Sequence, residues 1–220
     1  MPITANPASQ RHPTLRRQQK QETRERILDA ASALITDGRG LDSLGLREVA
    51  REAGLAATSL YNHFADMDAL GLALIDRACC RLRMTMAEGR RSMIEIGAAQ
   101  ALRELVARFV RFQNRHQDEF RLLLQQRLGR NDGYRRRIHD EVQLLVDELA
   151  EDIRQVVARL GRRPVPAARE AEAAVSVVFA LGALLLDAPA VQRERLERHA
   201  REQLEIIALG GRCWAEGQRI

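Results

Sequence analysis

An all-α fold is what this sequence predicts, and three observations predict it. Ala, Leu, Arg and Glu are abundant, while aromatic residues make up only 4% and β-branched residues are sparse, a balance that favours helix. All six prolines lie at positions 2, 7, 13, 164, 166 and 189, which leaves the 150 residues from Thr14 to Arg163 without one. A sandwich or barrel would spend Pro and Gly in turns along its whole length. Third, apolar residues recur at helical spacing, beginning with Ile27, Ala30, Ala31, Leu34 and Ile35.

Residues 1–20 read as a flexible basic arm, punctuated by Pro2, Pro7 and Pro13 and charged by Arg11, Arg16, Arg17 and Lys20. The first helix begins near Thr23 and ends at Gly38 and Gly40. A second runs over about Leu46–Ala53 and a third over about Ala57–His63. Asp66 is placed to cap a long fourth helix, because its carboxylate can accept the free N–H groups of the first turn. Five more helices follow, over about 98–115, 117–128, 133–160, 167–187 and 189–215, separated by breaks that carry Gly or Pro. The organisation is therefore an arm, a three-helix unit over 21–66, and a larger helical domain over 67–220.

With 220 residues the chain is long enough to bury a real core. Its net charge is +5, and 34 of its 35 basic residues are Arg, Lys20 being the exception. Such an excess permits nucleic-acid binding without demanding it. Cys79, Cys80 and Cys213 form no CxxC pair, so a disulfide framework or zinc site is not expected, and a reducing compartment fits. The longest apolar run, Ala173–Leu186, covers 14 residues including Ser176, short of the ~20 that span a bilayer. The N-terminus lacks the apolar core of a signal peptide. These features predict a cytoplasmic protein with no membrane partner.

The informative stretch is residues 46–64, LREVAREAGLAATSLYNHF. Ala50, Gly54 and Leu60 stand at the A-x3-G-x5-L spacing of a helix-turn-helix. Ala50 is small where the next helix crosses it. Gly54 follows the helix end, where a left-handed conformation is needed. Leu60 returns the third helix to a core with Leu46, Val49 and Ala53. An ordinary helical hairpin shares this spacing, so the flanking chain decides. The first helix, then Tyr61-Asn62-His63-Phe64 and Asp66-x-Asp68-x-Leu70, resembles the TetR family of transcriptional regulators. Leu46–Gly54, Thr58-Ser59, Tyr61, His63-Phe64 and Asp68-x-Leu70-Gly71-Leu72 resemble in particular the FabR/DesT-type regulators of unsaturated fatty-acid synthesis. The likeness continues at Phe120–Leu124, Val178-Phe179 and Gly211–Trp214.

The resemblance implies a dimeric repressor that binds a palindromic operator in double-stranded DNA, with its third helix in the major groove. Ala57, Thr58, Ser59 and Asn62 would then face base edges, and Tyr61 and His63 phosphates. Asn62 suits adenine, which its amide can bond bidentately. Half-buried packing for Tyr61 and a carbonyl bond for His63 are the plainer alternatives. Gly45, Ala56 and Met67 replace the hydroxyls and the lysine that commonly meet phosphate in the family. Arg16, Arg17, Lys20, Arg24 and Arg47 are the basic candidates to compensate, a solvated tail being the alternative for the first four.

In the larger domain Phe109, Phe112 and Phe120, with Leu123, Leu124 and the later Phe179, form either a plain core or a ligand site. The resemblance implies an apolar effector there, an acyl chain on coenzyme A or on acyl carrier protein. It further implies dimerisation through the last two helices, with Val178 and Leu181 among the expected interface residues, and helix four as a lever between domains. The cluster Arg135–Arg137 reads as a solvated basic face, contact with phosphates or an acidic carrier being the alternative. No catalytic constellation, metal-ligand spacing or cofactor motif is present in the sequence, so no enzyme, metal or cofactor is expected. Cys79 and Cys80 read as packing residues. Two other readings stay open: a related regulator of efflux or catabolism with another apolar ligand, and a helical lipid-binding or acyl-transfer protein that never touches DNA.

Overall fold

In a computed structural model, residues 12–36, 39–90 and 98–217 are described, and among them helices joined by short turns account for the secondary structure. The helices are α1 (His12–Thr36), α2 (Leu46–Glu52), α3 (Ala57–Tyr61), α4 (Met67–Arg90), α5 (Ala98–Arg115), α6 (Gln117–Arg127), α7 (Asp132–Arg159), α8 (Ala167–Asp187) and α9 (Ala190–Ala215). A single 3-10 turn, Leu41–Ser43, precedes α2. The chain divides into two units, residues 1–74 and 75–220. The expected boundary at residue 66 moves to Leu74 because the first turns of α4 bury Leu70, Ala73 and Leu74.

In the first unit, α1 starts at His12 rather than near Thr23. The stretch 12–20, expected as part of an arm, is helical, and its side chains from Leu15 to Lys20 are exposed. Apolar periodicity missed this start because Arg, Gln, Lys and Glu form helix well without an apolar face. Side-chain bonds one turn apart reinforce it: Gln21 donates to Glu25 at 2.8 Å, and the Thr23 hydroxyl to the Gln19 carbonyl at 2.9 Å. Residues 1–11 lie outside the described residues, as does Gly38. Ile27, Ala31, Val49 and Leu60 are fully buried, with Ala50 and Phe64 almost so. Full burial of Leu60 contributes about 2 kcal/mol. As expected, Asp66 caps α4, its Oδ1 accepting the Ala69 N–H at 2.7 Å.

In the second unit, α8 lies against α5, α6, α7 and α9. Its buried stripe is Ala167, Ala171, Ala174, Leu181, Gly182 and Leu185. Gly182 admits a close approach: a Cβ there would stand 2.5 Å from the Phe120 ring and 2.7 Å from Phe109. Asn131 caps α7 by accepting the Tyr134 N–H at 3.1 Å. Charge is buried beside this core. Glu141 of α7 receives Arg83 at 3.3 Å and Arg137 at 3.0 Å, and Arg137 also bonds Asp76. Cys79 is buried beside them, and burial pushes its thiol up to about 12. The basic run at 135–137 is thus not a free solvated face. Arg135 donates to the Gly129 carbonyl at 2.7 Å and Arg136 to the Asp132 carbonyl at 3.3 Å. Periodicity reports which face is polar; it cannot report which acids and carbonyls fold back to meet it.

Candidate nucleic-acid interface

The turn between α2 and α3 is built from backbone hydrogen bonds. Ala53 ends α2, and Gly54 follows at φ +66. The Gly54 N–H donates to the Arg51 carbonyl at 3.1 Å, and the Leu55 N–H to the Ala50 carbonyl at 2.8 Å. Those two bonds are a Schellman motif, which satisfies helix-end carbonyls and requires the left-handed residue between them. A third donor comes from outside the motif. The Arg26 guanidinium on α1 donates to the Ala53 carbonyl at 2.9 Å and ties α1 to the turn. Neither Arg26 nor Arg39 stands out in sequence, yet Arg39 grips Glu48 with both guanidinium nitrogens and donates to the Ser43 carbonyl at 3.0 Å. The Arg39 bond holds the Glu48 carboxyl below its ordinary range. Glu48 thus has a partner where the capping box lacks its hydroxyl: Gly45 caps α2 with extended backbone and no side-chain bond.

The third helix is shorter than expected. It runs from Ala57 to Tyr61, Asn62 is its C-cap, and His63 belongs to the turn beyond. Leu60 points inward, while Thr58, Tyr61 and Asn62 are exposed. At spacings of three and four residues those three share one face. Ala57 and Ser59 are half-buried at its edges. Tyr61 keeps 53% of its surface, enough for its hydroxyl to meet a phosphate. Arg47 on α2 is exposed.

Of the basic candidates, the structure brings Lys20 and Arg24 to the far end of α3. Both act on His63, whose imidazole is pushed below its ordinary pKa first by burial and then by these two cations. Its Nδ1 is buried with no hydrogen-bond partner, so this nitrogen makes no carbonyl bond. The Arg24 guanidinium lies over the Phe64 ring, 4.4 Å from its centroid, a cation–π contact that fixes its direction. Arg16 and Arg17 are exposed one to two turns earlier on α1.

The expected effector residues divide into two sets. Phe109 meets Phe120 edge to face at 5.4 Å between centroids, Phe120 meets Phe179 at 5.7 Å, and Phe112 lies 6.5 Å from Phe109. Phe109, Phe112, Phe120 and Leu123 are buried, and Leu124 is half-buried. A cavity of about 50 Å³ adjoins them, walled by Phe109 and Phe179 with Leu82, Met86, Val178 and Leu204 among others. Phe112, Phe120, Leu123 and Leu124 do not line it. The rings pack against one another and leave only this small cavity beside them.

Of the two residues singled out for a dimer interface, Leu181 needs correction. Leu181 is 3% exposed within the chain and so does not lie on an outer face, while Val178 is half-buried and lines the small cavity. The outward apolar residues of α8 and α9 include Leu184, Ile206 and Leu209, at 57%, 67% and 53% exposure, with Val191 and Trp214 exposed at the two ends of α9. The buried stripe of α8 takes Leu181 inward, which spacing alone could not decide for a helix apolar on most sides. No helix among the described residues is long and apolar enough to cross a membrane.

Residues 27–74 match the family model described as bacterial regulatory proteins, tetR family. Solved structures share the architecture over most of the chain. A putative TetR-family transcriptional regulator from Mesorhizobium loti MAFF303099 aligns with a TM-score of 0.69 at 18% identity, covering 86% of this chain and 96% of its own. A tetR-family regulator from Streptomyces coelicolor aligns at 0.68 and 20% identity, over 90% and 85% of the two chains. The flavonoid-responsive regulator FrrA aligns at 0.62 and 18% identity, over 86% and 96%. Over residues 27–74 the chain is thus similar to the tetR family, and as a whole it has the fold of the solved TetR-family regulators.

Proposed function

We propose that this chain is an effector-responsive transcriptional repressor that binds duplex DNA as a homodimer and reads sequence through α3. The observation that carries the reading is the exposed face of Thr58, Tyr61 and Asn62 on a helix held by the Gly54 turn. Lys20, Arg24 and His63 lie at its end, placed to meet phosphate. The outward Leu184, Ile206 and Leu209 of the last two helices supply an apolar face for the second copy. A two-fold dimer then asks for a palindromic operator. Asn62→Ala should cost about 1–3 kcal/mol on the best site and relax one base preference. Binding titrations on selected and random duplexes measure it, and equal affinities for wild type and variant on both duplexes would refute the groove assignment.

The finer reading makes the effector a long-chain acyl thioester and the regulated process fatty-acid unsaturation. Its support is the resemblance over Phe120–Leu124, Val178-Phe179 and Gly211–Trp214. The cavity of about 50 Å³ is far below the ~300–1,000 Å³ of ordinary ligand sites. An acyl chain at Phe109 and Phe179 therefore requires those rings to move apart. Titration of the operator complex with oleoyl- and palmitoyl-coenzyme A tests this reading. Different operator affinities for the two support it, and equal affinity with both and with neither refutes it. The flavonoid-responsive neighbour favours a second reading, a regulator answering an aromatic effector.

A further inference from the structure

The larger unit holds a second, roomier site. A groove of about 570 Å³ opens between the C-terminal half of α7, the loop after it, the start of α8 and the end of α9. That volume falls within the ~300–1,000 Å³ of ordinary small-molecule sites, unlike the space beside the phenylalanines. Leu149, Ala174 and Leu204 form a wall common to both. The groove's floor is apolar, with Ile153, Val156, Leu160 and Ile207 among its walls. Its charged residues are of unequal number: Arg162, Arg163 and Arg212 against Glu170 and Glu216. Arg162 and Arg163 are exposed on the loop and Arg212 is half-buried on α9. None of the three guanidiniums has an ion-pair partner within 4.0 Å among the described residues.

Several arginines elsewhere in this unit are used up internally. Arg83, Arg90, Arg135 and Arg137 all reach carboxylates. The groove's three do not, although a carboxylate is near. Glu170 lies flat against α9, where the missing side chain of Gly211 leaves it room; a Cβ there would sit 1.5 Å from its Oε1. That oxygen is buried without a hydrogen bond. Burial pushes the Glu170 carboxyl up toward its neutral form, with Arg212 opposing the shift. The groove therefore presents an apolar cleft, two exposed guanidiniums without ion pairs at its rim, and Arg212 opposed by a weakened counter-charge.

We propose that this groove binds an amphipathic monocarboxylate, its apolar body against Ile153, Val156 and Ile207 and its carboxylate held by Arg212 and the Arg162–Arg163 loop. The guanidinium fork matches a carboxylate and forms paired, charge-assisted hydrogen bonds with it. An apolar cleft of this size with few polar groups at one end suits a single-headed amphiphile better than a polyanion. The site is distinct from the phenylalanine-walled cavity and does not depend on the acyl-thioester reading or on DNA binding.

The test uses the whole protein and dodecanoate below its micellar concentration, with dodecylammonium as the opposite-charge control. Calorimetry reads binding. The sole tryptophan, Trp214, lines an adjoining recess with Glu170, Ile207 and Gly211, so its fluorescence reports where binding occurs. Saturable binding of dodecanoate with a change in Trp214 emission is expected, and dodecylammonium should bind more weakly. The double variant Arg162→Ala/Arg163→Ala, at exposed loop positions, should weaken dodecanoate by about tenfold. Ala208→Phe, which puts a ring into the groove, should remove binding. Absence of saturable dodecanoate binding, equal binding of the two amphiphiles, or unchanged affinity in the loop variant overturns the proposal. Because no DNA is present, such a failure leaves the regulator reading intact, and loss of the regulator reading leaves this site standing.

Discussion

Gly54 in the helix-turn-helix unit and Gly182 in the larger unit are both placed where alanine would do harm, for opposite reasons. Gly54 has nothing within 4 Å of where a Cβ would stand, but its φ is +66. Gly182 sits inside α8 at an ordinary helical φ, yet a Cβ would press to 2.5 Å against the Phe120 ring. The first glycine answers to its own backbone and the second to a residue sixty-two positions away in sequence. The two units differ in the same sense throughout. The helix-turn-helix unit gets its shape from a turn closed by hydrogen bonds between residues three to five apart. The larger unit gets its shape from distant partners, such as Arg83 and Glu141 or Phe120 and Phe179.

Four measurements sharpen or break that contrast. The largest effect should come from Gly182→Ala. Overpacking between two buried rings should cost about 2 kcal/mol in denaturant unfolding. An unchanged unfolding midpoint would mean that the rings slide into the cavity of about 50 Å³ beside them, and that packing in this unit is looser than its contacts suggest. Gly54→Ala should cost less, about 1 kcal/mol, from the left-handed backbone alone. It should also weaken DNA binding, because the same turn aims α3. A variant that is destabilised but binds DNA normally would separate the turn from the reading function.

The third measurement concerns His63. Its folded-state pKa lies below the ordinary 6.5, so the unfolded chain takes up its proton first. Its contribution to stability is then complete above pH 6.5 and is lost as pH falls below that value toward the folded pKa. His63→Gln should flatten the fall in melting temperature over that window relative to wild type. Identical slopes would show that burial and the Lys20 and Arg24 charges do not act on this imidazole in solution. His116, also lowered chiefly by burial, serves as the comparison in the larger unit, where His116→Gln should act in the same direction.

The smallest effect belongs to Gly45→Ser. Gly45 has extended backbone that any residue adopts and open space around it, so serine fits. Its hydroxyl can cap α2 by accepting the Glu48 N–H, for a gain of only a few tenths of a kcal/mol. Competition from Arg39, which already holds Glu48, does not touch that N–H. Tighter DNA binding together with a slightly raised melting temperature is expected. A fall in both would show that the Gly45 backbone is needed in a conformation serine resists.

Much of the helix-turn-helix unit was legible because its rules are short-ranged. Ala50, Gly54 and Leu60 lie where their spacing put them, and Asp66 caps α4. The exposed set on α3 narrowed to Thr58, Tyr61 and Asn62 once Ala57 and Ser59 proved half-buried. Arg26 and Arg39 were missed because nothing in a linear pattern marks which arginine reaches a carbonyl or carboxylate across the turn. The extent of α1 was missed for another reason: a helix of polar residues has no apolar stripe to detect. In the larger unit helix limits were nearly right, with 98–115 and 167–187 as expected. Helix faces were not. Leu181 turns inward, Val178 is half-buried, and Leu184, Ile206 and Leu209 turn out.

By itself, then, the sequence determined the all-helical class, the order of the helices and the register of the helix-turn-helix. Each of these depends on residues within a turn or two of one another, where propensity, caps and the sign of φ act directly. Only the tertiary structure decided that the phenylalanines close on one another and leave little room. It alone set which arginines are tied to carboxylates, and that Glu170 beds down over Gly211 beside a groove whose arginines have no such partners. Those outcomes depend on helices far apart in sequence meeting at particular faces. An apolar or charged residue has the same local preference whichever neighbour finally covers it, so the choice among neighbours is made by packing.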